Sequence, residues 1–495
     1  MIDKFDTTIV APATTAGGAI AVIRLSGKDA RRITESIFSA TLKARTAVLG
    51  LIRDEHEMAV DEVLCTYFQE PASYTGEDCV EISCHGSGWI VNEIMRLLTT
   101  KGAIAAMAGE FTMRAFMGGK MDLAQAEAVA DLIASQSRAA AGVALQQMRG
   151  GYSHQLRDLS QQLLHVASLL ELELDFGEED VVFADRGELK SLIDKIQERL
   201  RELINSFSLG NVLKNGVAVA IVGRPNVGKS TLLNRLLGEE RAIVSATAGT
   251  TRDFIEETLV IGGVLFRFID TAGLRSSQDE IERIGIERSY QKLRTANVVI
   301  ELTEAPEELE KLELTTEQKH IIVVNKCDQL AANSPATHSN MADSHQGAAD
   351  TICKEDTTTC HQQNAGTNTG TDSQKSTTIF CPQDVTTPYG TDTPCYISAK
   401  YGTGIDDLKA LLLKQVGVSN YNAEAVVVSN VRHCEALKQS SKAFQRANAA
   451  LNGGLPTDLI SAEIRIALLH IGEITGEITT DDILKNIFSK FCIGK

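Results

Sequence analysis

No two of the ten cysteines stand as C-x-x-C, so neither a zinc ligand set nor a disulfide framework is indicated. A reducing cytoplasm is then the simplest home. No apolar run reaches the roughly 20 residues that a membrane-spanning helix needs. The opening residues, Met1 to Asp6, carry acids and lack the apolar core of a signal peptide. Positive charge is scarce as well. With 48 Lys and Arg against 65 Asp and Glu, the formal net charge of −17 should repel bare RNA or DNA over most of the surface. Work on nucleic acid would need a local basic patch or a basic partner. What is present, 43% hydrophobic and 23% charged residues, fits a soluble globular chain. At 495 residues it is too long for one core, and about three domains are expected.

The sequence is organised around residues 216–273. Val217–Val222 has the length and β-branched content of a buried parallel strand. Directly after it, Gly223–Thr231 fits the phosphate-binding pattern G-x-x-x-x-G-K-[ST], with Asn226, Val227, Gly228, Lys229, Ser230 and Thr231 along the loop. Glycines let backbone N–H groups turn onto phosphate oxygens, and the following helix adds its positive end. Lys229 would be the point charge on the β- and γ-phosphates, and the Ser230 hydroxyl a Mg²⁺ ligand. Asp270, Thr271, Ala272 and Gly273 follow a second strand, Val264–Ile269, and would bring a carboxylate and an N–H to the γ-phosphate. Asn325, Lys326 and Asp328 follow a third apolar run, Ile321–Val324. There the Asp328 carboxylate can accept two N–H bonds from a guanine edge, which adenine cannot offer. Ser398, Ala399 and Lys400 supply a last base contact. Four motifs in this order resemble the GTPase set and predict a GTP-binding domain.

One expected residue is missing. Leu274 stands where Ras-like enzymes place a water-orienting glutamine, so hydrolysis needs a substitute. Arg252, Asp253, Arg275 and Glu282 are candidates, and Thr251 is placed to be the second Mg²⁺ ligand.

Residues 1–118 read as mixed α/β. Ile20–Leu25 and Val80–Ser83 read as strands on either side of a turn at Tyr74–Asp78, and each carries a charge, Arg24 and Glu81. An edge-strand salt bridge is one reading of that pair. From Met121 the pattern is helical, with an Ala-rich helix starting at Asp122 and a core stripe of Leu156, Leu159, Leu163, Val166 and Leu170. Helical periodicity returns after about 416 and runs to a last helix capped by Thr480 and ending at Gly494. The fold class expected is multidomain. An α/β N-terminal domain (1–118) precedes an all-α domain in two parts (119–213 and 416–495), with a Ras-like α/β P-loop GTPase domain (214–415) inserted between them. Residues 331–394 are rich in Thr, Ser, Asn, Gln, Asp and Gly, and read as a flexible insertion ahead of a final strand near Pro394–Ile397. Cys353, Cys360, Cys381 and Cys395, in or beside it, have no metal-ligand spacing.

Gly223–Thr231, Gly249–Asp253, Asp279–Arg288, Met121–Ala128 and the ending Phe491–Lys495 (FCIGK) together resemble the MnmE (TrmE) family of tRNA-modification GTPases. The likeness spans nearly the whole chain outside 331–394. It implies a folate-binding N-terminal domain, in which Arg24, Glu81, Lys120 and Lys495 match contacts to 5-formyltetrahydrofolate. That replaces the salt-bridge reading. It implies a potassium site at Asn226, Ser245, Thr247 and Thr250, within a Ser245–Ala246–Thr247–Ala248–Gly249–Thr250 loop at the nucleotide. Glu282 matches the residue that orients the attacking water. Also implied are a homodimer through the N-terminal domain and an FAD-binding partner (MnmG, or GidA). Together they would build a carboxymethylaminomethyl group at C5 of the wobble uridine of certain tRNAs, with a folate one-carbon unit. Cys492 is a candidate functional thiol by the same likeness, while Leu484, Phe488 and Cys492 on one helix face favour packing. A competing class is a ribosome-assembly or other regulatory GTPase switch, which has no need of folate ligands. A GTP-regulated one-carbon transferase is a third.

Overall fold

The computed structural model describes residues 6–15, 17–175, 186–239, 256–269, 293–309, 312, 314–315, 318–330, 394–418, 426–491 and 494. The chain divides into two compact units. One comprises Met1–Ala218, Glu240–Phe268 and Leu412–Lys495, the other Val219–Glu239 and Ile269–Leu411.

The first unit opens with β1 (Ile9–Pro12), β2 (Ile20–Ser26), α1 (Ala30–Glu35), β3 (Ala47–Arg53), β4 (Ala59–Phe68), β5 (Cys79–His85), α2 (Gly88–Thr100), β6 (Ile104–Ala105) and α3 (Glu110–Met117). The strands form one sheet in the order β3-β4-β5-β2-β1-β6. All pairs are antiparallel except β1–β6. Period-two alternation divides the sheet's faces. Ala21, Ile23, Leu25, Val80, Ile82 and Cys84 are buried with Val91, Ile94, Leu97 and Leu98 of α2. On the other face lie Ile20, Val22 and Arg24 of β2, opposite His85, Ser83 and Glu81 of β5. β2 and β5 are interior strands, so the edge-strand placement of the Arg24–Glu81 pair is wrong; the strands that cover them carry weaker sequence signals.

Four helices follow: α4 (Leu123–Ala134), α5 (Arg138–Met148), α6 (Gly151–Asp175) and α7 (Arg186–Asn215). Asp122 caps α4 through a capping box with Gln125, each side chain bonding the other's backbone N–H (2.9 and 3.0 Å). The expected α6 stripe is realised: Leu156, Leu159, Leu163, Val166 and Leu170 are all buried. Each such side chain contributes about 1.5–3 kcal/mol on burial, so packing alone accounts for the stripe.

The chain then runs through β7 (Val217–Val222), α8 (Lys229–Glu239), β8 (Glu256–Ile261), β9 (Val264–Ile269), β10 (Val298–Thr303), β11 (Lys319–Val324), α9 (Cys327–Leu330), β12 (Cys395–Tyr396) and α10 (Ile405–Gln415). The strands β12, β11, β10 and β7 are parallel neighbours in that order. Their continuous apolar runs suit strands buried on both faces. Three of the sequence motifs fall just beyond the carboxyl ends of β7, β11 and β12, where ligands bind in sheets of this kind.

Three helices close the chain: α11 (Val431–Asn452), α12 (Thr457–Thr475) and α13 (Asp481–Phe488). Leu437, Phe444, Ile464 and Ile471 share one core with the α6 stripe and with Ile193, Ile196 and Leu200 of α7. The two helical stretches therefore form one bundle across the intervening residues. Thr480 caps α13 as expected, its hydroxyl accepting Ile483 N–H at 3.4 Å. That helix stops at Phe488 rather than Gly494, after which Phe488 and Phe491 pack on Leu123 and Ala126. Residues 331–393 and Cys492 itself lie outside the described residues. Among the described residues, no helix is long and apolar enough to cross a membrane.

Candidate functional site

The phosphate loop leaves β7 through Gly223, whose φ of +142° and position admit no side chain: a Cβ there would sit 2.1 Å from the Leu302 carbonyl oxygen. Asn226 holds φ at +64°, a left-handed conformation that asparagine tolerates better than most residues. Gly228 (φ +103°) lets the chain close against the Asn325 side chain, only 2.3 Å from where a Cβ would lie. Lys229 Nζ donates to the Gly223 carbonyl and, at 2.9 Å, to that of Arg224, so the ammonium lies over the loop. Ser230 and Thr231 are exposed in the first turn of α8, where N–H groups lack helical acceptors. This is an anion site built of backbone, with a hard-oxygen hydroxyl suited to Mg²⁺ at Ser230.

Asn325 ties this loop to the base loops. Its side chain is buried; Nδ2 donates to the Val227 carbonyl (2.8 Å) and Oδ1 accepts Ala399 N–H (3.0 Å). Both ends of its amide therefore act within the protein, as a clamp between the phosphate loop and the 398–400 loop. Ser398 Oγ donates to Asp328 Oδ1 at 2.6 Å and fixes the carboxylate that would read a guanine edge. Lys326 (φ +61°) extends to Glu304 Oε1 at 2.5 Å, and Lys400 Nζ lies 5.0 Å from the Tyr401 ring centroid. The remaining nucleotide-site expectations lie outside the described residues: Ser245, Ala246, Thr247, Ala248, Gly249, Thr250, Thr251, Asp270, Thr271, Ala272, Gly273 and Glu282, with Arg252, Asp253 and Arg275.

In the N-terminal sheet, Arg24 and Glu81 face each other in register, and Arg24 Nε and Nη2 donate to Glu81 Oε1 at 2.9 and 2.7 Å. The pair is half-buried rather than sealed, at 17% and 30% side-chain exposure, so a ligand can reach it. The half-buried Tyr74 ring and the fully buried Phe111 ring lie 5.3 and 5.8 Å from the Arg24 guanidinium. Lys120 Nζ donates to the Pro71 carbonyl at 2.8 Å and its stem lies along Gly76, gripping the turn that carries Tyr74. Lys495 is outside the described residues, but its neighbour Gly494 is buried against β1. A Cβ on Gly494 would lie 2.1 Å from the Pro12 carbonyl oxygen, one residue from Ala11, the register partner of Arg24. A half-exposed carboxylate held by a guanidinium, with the Tyr74 ring beside it, can accept N–H groups of a ligand.

Two networks were missed from the sequence. Buried Arg114 donates to the Thr7 carbonyl (2.8 Å) and pairs with Glu77 and Glu110, while Ser26 Oγ donates to Glu77 Oε2 (2.7 Å). In the bundle, Glu127 of α4 takes Arg432 Nε and Nη2 at 3.0 Å each and His433 Nε2 at 2.5 Å. Burial disfavours the Glu127 carboxylate, yet the His433 and Arg432 contacts outweigh it and hold the pKa down at about 2. Burial also lowers the His433 pKa against the pull of Glu127. The only sequence signal was a carboxylate within an Ala-rich helix. In the N-terminal core, burial pushes the Cys65 and Cys79 thiols up to about 12, so both stay protonated and serve packing.

Comparison with known proteins agrees with these assignments of fold. The model for the MnmE helical domain matches residues 123–492, and that for the GTP-binding protein TrmE N-terminus matches residues 8–120. A tRNA modification GTPase MnmE from Cytophaga hutchinsonii is 47% identical over 493 residues, 99% of this chain and 98% of that one. Another from Christiangramia forsetii is 45% identical over 517 residues, 99% of this chain and 100% of that one. A crystal structure of a variant of Aquifex aeolicus Era bound to GDP and aluminium fluoride aligns over 46% of this chain and 66% of that one. Its 24% identity and TM-score of 0.24 carry no argument. With phosphate and base loops at the ends of parallel strands and full-length likeness of this order, the chain is a P-loop GTPase and belongs to the MnmE family of tRNA modification GTPases.

Proposed function

We propose that the chain hydrolyses GTP in the course of modifying tRNA, acting as a homodimer in the cytoplasm. Together with an FAD-binding partner of the MnmG (GidA) type, it adds a carboxymethylaminomethyl group at C5 of the wobble uridine of certain tRNAs. The one-carbon unit comes from a formyl- or methylene-tetrahydrofolate bound at Arg24, Glu81, Lys120 and Lys495. The observation that carries this reading is the half-open Arg24–Glu81 pair beside the Tyr74 ring, with Gly494 packed on β1 nearby. A switch GTPase without chemistry of its own has no use for such a pocket. Glu81 is suited to accept the N–H groups of a pterin edge, and Arg24 keeps it ionised and aimed.

In the GTPase domain, Ser230 and Thr251 hold Mg²⁺, which neutralises charge on the phosphates. Asn226, Ser245, Thr247 and Thr250 hold K⁺ where another enzyme would place an arginine. Glu282 orients the water that Leu274 cannot. Cys492 keeps its place as a candidate functional thiol near the chain's end. The folate assignment has a direct check: Arg24→Ala should weaken 5-formyltetrahydrofolate binding at least ten-fold in calorimetry, with GTP affinity unchanged. Equal folate affinity in the two proteins would refute it.

A further inference from the structure

β5 ends in a hydrogen-bonded His85–Asp61 pair that none of the readings above uses. His85 is the register partner of Ile20, just as Glu81 is the partner of Arg24, so all four lie on the same open sheet face. Between them, Val22 faces Ser83. The two strands thus carry a continuous strip from Arg24–Glu81 over Val22–Ser83 to Ile20–His85, about 13 Å long at strand rise.

At the far end, Asp61 accepts twice from His85: its Oδ2 takes the backbone N–H at 2.9 Å and its Oδ1 meets ring Nδ1 at 2.7 Å. Asp61 is shielded, at 7% side-chain exposure, whereas the imidazole is 69% exposed. A carboxylate can only accept, so Nδ1 carries the hydrogen of the neutral ring. Nε2 is left with its lone pair outward. The same division of labour orients a catalytic histidine in hydrolases, where the acid fixes the tautomer and supports the imidazolium. The mount is rigid. Gly86 packs so closely on the neighbouring loop that a Cβ would lie 2.0 Å from the Gly18 carbonyl oxygen. Backbone bonds Gly17 N–H to Gly86 O (2.8 Å) and Gly86 N–H to Ala19 O (3.1 Å) lock the same turn.

We propose that Asp61 and His85 form the proton-handling end of the folate strip, with His85 Nε2 meeting an amine nitrogen of a reduced folate whose pterin edge is held at Arg24–Glu81. The proposal rests on the folate reading above. An anionic tail is a poorer match for that end, because the Asp61 carboxylate cancels the charge of an imidazolium and repels a second carboxylate. A neutral Nε2 instead accepts a ligand N–H, and in the protonated state returns a proton to the same nitrogen. Asp61 is a positioning residue in this scheme, acting through His85.

Calorimetry of 5-formyltetrahydrofolate binding in buffers of different ionisation enthalpy, repeated at several pH values, tests it. Wild type should release protons on binding, seen as a buffer-dependent enthalpy. His85→Gln should bind about three- to ten-fold more weakly with the buffer dependence gone, and Asp61→Asn should reduce both effects. His85 is exposed, so His85→Gln should melt like wild type. If Arg24→Ala weakens binding while His85→Gln changes neither affinity nor proton release, the strip ends short of His85 and the proposal is overturned with the folate reading intact. If Arg24→Ala binds like wild type, the folate reading falls first and takes the proposal with it.

Discussion

Asn325 acts on the nucleotide site through the protein as well as from its place in the base motif. Its amide spans the Val227 carbonyl and the Ala399 N–H, so truncation would leave two buried backbone groups unpaired. Each such orphan costs about 1–3 kcal/mol. Asn325→Ala should therefore raise the Kd for a fluorescent GTP analogue at least ten-fold while the fold persists; a change under two-fold would mean that the two loops are held by other contacts. The residue types at the phosphate and base loops were legible from sequence because phosphate and guanine chemistry dictates them locally. The clamp was not, because it depends on β7, β11 and β12 being brought together in one sheet. Arg24 and Glu81 were legible as charges on alternating strands. Their register, and the Tyr74 ring beside Arg24, emerged only with the sheet.

At the scale of elements, the bundle is joined by contacts between segments some three hundred residues apart, which no local pattern reveals. Helix α7 approaches the residues before α11 so closely that a Cβ at Gly210 would lie 2.2 Å from the Val428 carbonyl oxygen. Nearby, Glu127 of α4 pins the start of α11 through Arg432 and His433. Its pKa of about 2, against an ordinary 4.5, means that the unfolded chain takes up the proton first. The stabilisation is then complete above about pH 4.5 and is lost as pH falls toward 2. His433, also depressed, acts in the same sense from its ordinary 6.5 downward. Glu127→Gln should lose about 3 kcal/mol at pH 7, since it leaves Arg432 without its counter-charge. It should also flatten the acid limb below pH 4.5 in urea unfolding followed by helix signal. An unchanged limb would show that the carboxylate does not titrate with folding.

For the whole molecule, the acidic balance of −17 repels RNA over most of the surface, so RNA contact needs a local basic patch or the partner proposed above. Phosphoryl transfer needs positive charge where negative charge develops, a role for which a trans arginine is typically worth about 10³–10⁵ in rate. Asn226, in its left-handed turn of the phosphate loop, is exposed and available to a monovalent cation. Turnover should accordingly be at least ten-fold faster in potassium than in sodium at matched ionic strength, and Asn226→Ala should erase the difference; equal rates in the two salts would remove the cation from the mechanism. The central claim joins this hydrolysis to a folate-dependent change in tRNA, and it is tested most directly by the mass of wobble uridines. In a strain deleted for this protein, the carboxymethylaminomethyl group should be missing. Wild-type chain should restore it, and neither Arg24→Ala nor Asn325→Ala should do so. Full modification in the deletion strain, or restoration by Arg24→Ala as complete as by wild type, would contradict the account.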